Sequence, residues 1–207
     1  MLRAAGIEFD VMPANADETV HPGETAEAYV RRVAEAKMRG VQPRANGRPV
    51  LAADTVVVVD GAILGKPLDR EDAKRMLRML SGRAHEVLTA VCLAGGPDPE
   101  GGPDKVRPTV TEEVRPTVME KVRPTGTKKV RPMVTKIETT TVEFAPLTDE
   151  DIDWYVSSGE PDDKAGAYAI QGLASRFITR ISGSYSNVVG LPVSLVFQMF
   201  KAVEFRP

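Results

Sequence analysis

Leu51-Ala52-Ala53-Asp54-Thr55-Val56-Val57-Val58-Val59-Asp60-Gly61, closed by Gly65-Lys66-Pro67, is the stretch on which the fold of this chain turns. Its apolar residues predict a buried strand over Val50–Val59. Asp60-Gly61 supplies the two-residue turn of a hairpin, and Ala62–Leu64 the return strand. Asp54 and Thr55 interrupt the run at its middle. A carboxylate in that place loses its solvation and needs a partner, a metal or a shifted pKa. A buried structural aspartate is the bland alternative. Lys66 follows just past the hairpin, where a cation can answer that carboxylate or a phosphate.

Outward from the hairpin, the pattern alternates helices and strands. Residues 1–5 read as the end of a helix stopped by Gly6, and residues 7–12 as a strand. The spacing of Ala26, Tyr29, Val30, Val33 and Ala34 predicts a helix over 25–39, ended by Gly40. Lys37 falls on its inward stripe. It is either a lysine snorkelling at a helix end or a cation aimed into a cleft. Asp69 caps a second helix with Ala73, Met76, Leu77 and Leu80 inside, stopped at Ser81-Gly82. Strands are expected at 85–94, 137–144 and 176–181. Thr148 caps a further helix, and Pro192 opens a last one whose inner face is Val193, Val196, Phe197 and Phe200.

Residues 105–136 are four tandem octads in which Pro108, Pro116, Pro124 and Pro132 recur every eight residues. Proline at that interval opposes both a helix and a central strand. Residues 97–136 are therefore expected to be an inserted loop without fixed structure. The octads hold nine Lys or Arg and three Glu, a net +6, which leaves −8 for the rest of a chain of net charge −2. A nucleic-acid-binding arm is disfavoured, because the octads contain no aromatic residue for base stacking.

The composition of the whole 207-residue chain, 42% hydrophobic and 27% charged, is that of one generous domain. No apolar run approaches the roughly 20 residues of a membrane helix. The N-terminal residues show no charged-then-apolar signal pattern. A single cysteine, Cys92, sits in an alternating strand and reads as core. These features fit a reducing cytoplasm.

The polar residues in apolar or glycine-rich settings are Glu18, Lys37, Asp54, Lys66, Lys164 and Gln171. No Ser–His–Asp pattern, His/Cys cluster, Walker loop or G-x-G-x-x-G is present. Two carboxylates with three amines suit Mg²⁺ or Mn²⁺ and a polyphosphate: oxygen ligands hold the ion, and amines neutralise phosphate oxygens. Lys164 reads equally well as a phosphate contact or as the ion-pair partner of Asp163. His85 reads as a residue at the start of a strand.

The motifs Ala53-Asp54-Thr55-Val56-Val57, Gly65-Lys66-Pro67, Met79-Leu80-Ser81-Gly82-Arg83, Ser158-Gly159-Glu160-Pro161, Asp163-Lys164-Ala165-Gly166, Ile170-Gln171-Gly172 and Ser186-Asn187-Val188-Val189-Gly190-Leu191-Pro192 run in order along the chain. In these the chain resembles the Maf family of nucleotide pyrophosphatases, everywhere except roughly residues 97–136. The resemblance implies a single α/β domain over 1–207, built on a twisted mixed sheet flanked by helices. It implies two lobes with a cleft between them, and a homodimer. It implies hydrolysis of a nucleoside triphosphate to the monophosphate and pyrophosphate with a divalent cation, Mg²⁺ or Mn²⁺. By position Asp54 would be the catalytic carboxylate, activating water or holding the metal with Glu18. Lys37 and Lys66 would face the phosphates. Thr55 and Gln171 match the branch that resembles dTTP/UTP pyrophosphatases, and an amide can both donate to and accept from a pyrimidine edge.

Family members begin with a strand and a Ser-x-Ser-Pro-Arg-Arg loop that serves the triphosphate. This chain is expected to start inside the helix that follows that loop. Two other readings go with that expectation: a non-catalytic nucleotide-binding or cell-division-linked remnant, and a nucleic-acid-associated protein using the octads.

Overall fold

In the computed structural model, which describes residues 1–95, 109–110 and 133–203, the valine-rich segment is the long central strand of a seven-stranded mixed sheet. The strands are β1 (Asp10–Val11), β2 (Val50–Val59), β3 (Ala62–Leu64), β4 (Ala84–Ala94), β5 (Thr109–Val110), β6 (Val134–Phe144) and β7 (Ile178–Ser182). Their order is β1-β5-β2-β4-β6-β7, with β3 also on β2. β5 runs parallel to both β1 and β2, and the other pairings are antiparallel. The β2–β3 hairpin turns through Asp60 and Gly61 at φ 50° and 76°, the left-handed pair that a two-residue turn between twisted strands requires.

Helix α1 (Ala26–Val41) starts on the Thr25 side chain, which accepts from the Ala28 N–H. It covers one face of the sheet: Val30, Val33, Ala34 and Met38 pack on Val50, Ala52, Val56, Leu88, Ala90 and Cys92. The opposite face carries two separate apolar clusters. At one end α2 (Arg70–Leu80) and α3 (Asp149–Ser157) bury Met76, Leu77, Leu80, Ile152 and Tyr155 against Val57, Val59, Val87 and Phe144. At the other end Leu2, Ile7 and helix α5 (Val193–Ala202) pack on Leu51, Val91 and Leu93. Each fully buried Leu- or Met-sized side chain contributes about 1.5–3 kcal/mol. Thr148 and Asp151 form a reciprocal capping box at the start of α3.

Several expectations are corrected. Gly40 does not end α1, which runs on to Val41 because that valine is fully buried. Of residues 7–12, only Asp10–Val11 pair as a strand. Phe197 is 48% exposed, and the inner face of α5 is made by Leu195, Val196, Met199 and Phe200. The strand expected at 137–144 begins at Val134, inside the last octad, and the one expected at 176–181 is Ile178–Ser182, since Leu173–Phe177 form a 3-10 turn. Thr109–Val110, from the first octad, joins the sheet as β5. The loop expectation otherwise falls on residues 96–108 and 111–132, which lie outside the described residues.

Candidate active site

Among the described residues, β2 is bordered on one edge by β5 at Val50 and Leu51 and by β3 at Val57 to Val59. No described strand crosses Ala52 to Val56 on that edge. A cavity of about 350 Å³ opens at this gap, and Glu18, Lys37, Asp54, Thr55, Lys66 and Gln171 all line it. Lys164 lines it too, so all seven residues that the sequence singled out share one cavity.

Strand alternation divides them. Even-numbered residues of β2 point to α1, so Asp54 meets the inward stripe of that helix. The Lys37 ammonium stands 2.9 Å from Asp54 Oδ1 and 2.7 Å from Glu18 Oε1. The chain before α1 brings Glu18 there, and the Tyr29 hydroxyl donates to the Glu18 carbonyl at 2.9 Å. Burial raises the proton affinity of Asp54 against the opposing pull of Lys37. Burial acts to lower the pKa of Lys37, but Asp54 and Glu18 together outweigh it, so Lys37 stays firmly charged. Asp54 Oδ2 is buried and accepts no hydrogen bond from a described residue. An orphaned carboxylate oxygen beside a second carboxylate is a fitting donor set for a hard divalent cation. No group of three or more His, Cys, Asp or Glu suited to a metal occurs among the described residues, so protein oxygens alone would leave the coordination incomplete.

Odd-numbered Thr55 points to the other face, in the seam between the two apolar clusters. Its hydroxyl lies 2.9 Å from that of Thr89 and donates to the Gly190 carbonyl at 3.3 Å. Buried Asn187, on the short helix α4 (Tyr185–Val188), donates to the Val87 carbonyl at 2.9 Å and to Thr140 Oγ1 at 3.0 Å. This polar seam ties the Val188–Gly190 wall of the cavity to the sheet. Lys164 pairs with Asp163 on the cavity lining. His85 is buried, as a residue at the start of a strand can be, and its Nε2 lies 2.9 Å from the hydroxyl of Tyr168, another lining residue. Cys92 packs under α1.

Sequence reasoning did not pick out Tyr29, Tyr168, Thr89 or Asn187 as site residues. Tyr29 sits on the helix stripe and reads as core. Thr89 occupies an alternating strand. Only the sequence motif around Asn187 marks that residue, without indicating its partners.

The family model for Maf-like proteins matches residues 1–203. A protein of Anaeromyxobacter sp. (strain Fw109-5) named dTTP/UTP pyrophosphatase is 45% identical over 201 residues, 97% of this chain and 82% of its own length. Proteins of the same name from Symbiobacterium thermophilum and Koribacter versatilis are 44% and 40% identical, over 96% and 97% of this chain and 85% and 86% of theirs. With five of the seven ordered motifs lining one cavity, these matches show that the chain belongs to the Maf-like protein family.

Proposed function

We propose that this chain is a nucleoside triphosphate pyrophosphatase that hydrolyses dTTP and UTP to the monophosphate and pyrophosphate. The observation that carries the reading is Asp54: a buried carboxylate with one oxygen on Lys37 and the other without a hydrogen-bond partner among the described residues, on a cavity lined by further lysines. Asp54 takes a proton from water as the water oxygen bonds to the α-phosphorus. The bond from that phosphorus to the bridging oxygen breaks, and pyrophosphate leaves. Lys37 holds Asp54 in place and, with Lys66, offsets negative charge on the phosphate chain. Asp54 and Glu18 would hold Mg²⁺ or Mn²⁺, which supplies Lewis-acid neutralisation of phosphate oxygens. Gln171 and Thr55 face the pyrimidine end, where the Gln171 amide donates to and accepts from the base edge.

A homodimer in the cytoplasm completes the reading, supported by the family resemblance and by a single, buried cysteine. No helix among the described residues is long and apolar enough to cross a membrane.

The test is pyrophosphate release from dTTP, UTP, CTP and GTP with Mg²⁺ or Mn²⁺. Pyrimidine substrates are expected to lead, and Asp54→Asn to lower turnover by about 10²–10⁴-fold. No release from any triphosphate, or an Asp54→Asn rate within a few-fold of the parent, overturns the assignment.

A further inference from the structure

Gln171 has an anchor on each side, and both anchors meet at Glu160. That residue opens the 3-10 turn Glu160–Asp163 after α3. Its carboxylate reaches across to the segment that follows the cavity: Oε2 accepts from the Leu173 N–H at 2.9 Å, and Oε1 accepts from the Ala174 N–H at 3.3 Å. The Tyr155 hydroxyl donates to Oε1 at 2.8 Å, and its oxygen accepts from the Ala169 N–H at 3.2 Å. The chain is thus pinned at Ala169 before Gln171 and at Leu173 and Ala174 after it. Gly172 completes the arrangement. A Cβ there would lie 2.2 Å from Glu160 Oε2, so the carboxylate fills the space that any side chain at 172 would need.

We propose that Glu160 is a positioning residue for Gln171: by holding the backbone on both sides, it fixes the direction in which the Gln171 amide meets the base and so sets the preference for pyrimidines. This rests on the reading of Gln171 as the residue that faces the base. An exposed glutamine on an unpinned turn would have to be ordered by each substrate, and that cost is drawn from binding. A pinned turn aims the amide in advance. A carboxylate is suited to the task because both of its oxygens accept, and hydrogen bonds to a charged acceptor are about twice as strong as neutral ones. An amide at 160 has one accepting oxygen, and its NH₂ would confront a backbone N–H.

The experiment is a double-mutant cycle on selection, the ratio of kcat/KM for dTTP to that for dGTP. Gln171→Ala is expected to lower selection about tenfold and Glu160→Gln about three- to tenfold, the net size of one hydrogen bond. The loss should appear in the KM for dTTP with kcat little changed. The double variant should be no less selective than Gln171→Ala alone. Tyr155→Phe, which removes the anchor at Ala169 and the hydroxyl's bond to Glu160 Oε1 but leaves the Glu160 carboxylate on Leu173 and Ala174, should move selection the same way and stands in for Glu160→Gln if that variant melts near the assay temperature. Glu160→Gln slowing dTTP and dGTP equally overturns the proposal. So does a loss of selection as large without Gln171 as with it. Undiminished selection in Gln171→Ala overturns the base reading, and the proposal with it. A parent that releases no pyrophosphate overturns the hydrolytic reading alone, and the same cycle on dTTP and dGTP binding then decides the role of Glu160.

Discussion

One ammonium, that of Lys37, is shared between Asp54 and Glu18 in a site where Asp54 is only 9% exposed. Removing the cation leaves a buried carboxylate uncompensated, so Lys37→Met is expected to destabilise the fold by about 3–5 kcal/mol at neutral pH. Adding Asp54→Asn removes the stranded charge, and the double variant should recover much of that loss. Urea unfolding at pH 7 measures both, and a cost below about 1 kcal/mol for Lys37→Met would mean that the pair is solvated. His85 gives a second residue-scale prediction. Burial pushes its pKa down from 6.5 to about 4, so the unfolded chain takes up a proton that the folded chain refuses. Stability from this group is intact above 6.5 and is lost as pH falls from there to about 4, roughly 2 kcal/mol of it by pH 5. The stability difference between pH 7 and pH 5 should shrink by that amount in His85→Gln. An unchanged difference would show that the ring is not buried neutral in solution. Asp54 and Lys37 were legible in the sequence because each breaks an apolar pattern. Glu160 was visible only as part of a motif, since its partners lie up to fourteen residues away in a turn that tertiary packing shapes.

At the level of elements, the hairpin, its turn and the capped helices followed from local chemistry, and the structure bears them out within a residue or two. The departures came where tertiary contacts overrule local signals. Gly40 is a stop signal, but Val41 has a place in the core. Phe197 fits the helical period, yet the packing surface of α5 is rotated toward Leu195 and Met199. Proline every eight residues opposes a long strand, but it leaves room for a two-residue one. Thr109 and Val110 take it, pairing with Asp10 and Val11 on one side and Val50 and Leu51 on the other. The first octad therefore contributes two residues to the sheet. Deleting 112–132 touches no described residue, and on the loop expectation drawn from the octads its main thermodynamic effect would be a change in loop closure, which varies slowly with length. Tm should stay within about 3 °C of the parent, less than 1 kcal/mol for a domain of this size. Deleting 97–132 removes β5 as well. It strips the parallel ladder from β1 and from the start of β2 and bares an edge that invites association. That variant should melt several degrees lower and gain aggregate by light scattering. Equal melting of the two deletions would show that β5 adds nothing to the sheet.

On the scale of the whole molecule, the cavity lies where two gaps among the described elements coincide. The two apolar clusters on one face part at Thr55, and β2 lacks a described neighbour on its edge from Ala52 to Val56. A sequence shows a strand's alternation but not which part of its edge stays bare, so the cavity's place was not legible even though its residues were. Its walls come from distant parts of the chain: Glu18, Tyr29 and Lys37 on one side, Lys164 to Gln171 and Val188 to Gly190 on the other. On the proposed reading, a nucleotide filling the cavity would touch both, with phosphates toward Lys37 and Lys66 and the base toward Gln171. An α,β-imido pyrimidine triphosphate, which resists cleavage at that link, isolates binding from turnover. At one hundred times its Kd it should stabilise the protein by about 2.7 kcal/mol and raise Tm accordingly. Amide exchange should slow in α1 and in 163–172 together, because one ligand bridges both. The same protection should be halved or lost in 163–172 alone when Gln171 is replaced by Ala, while α1 remains protected through the phosphates. Protection confined to one wall in the parent would mean that the cavity is not filled end to end. It would also remove the geometric basis for placing the base at Gln171.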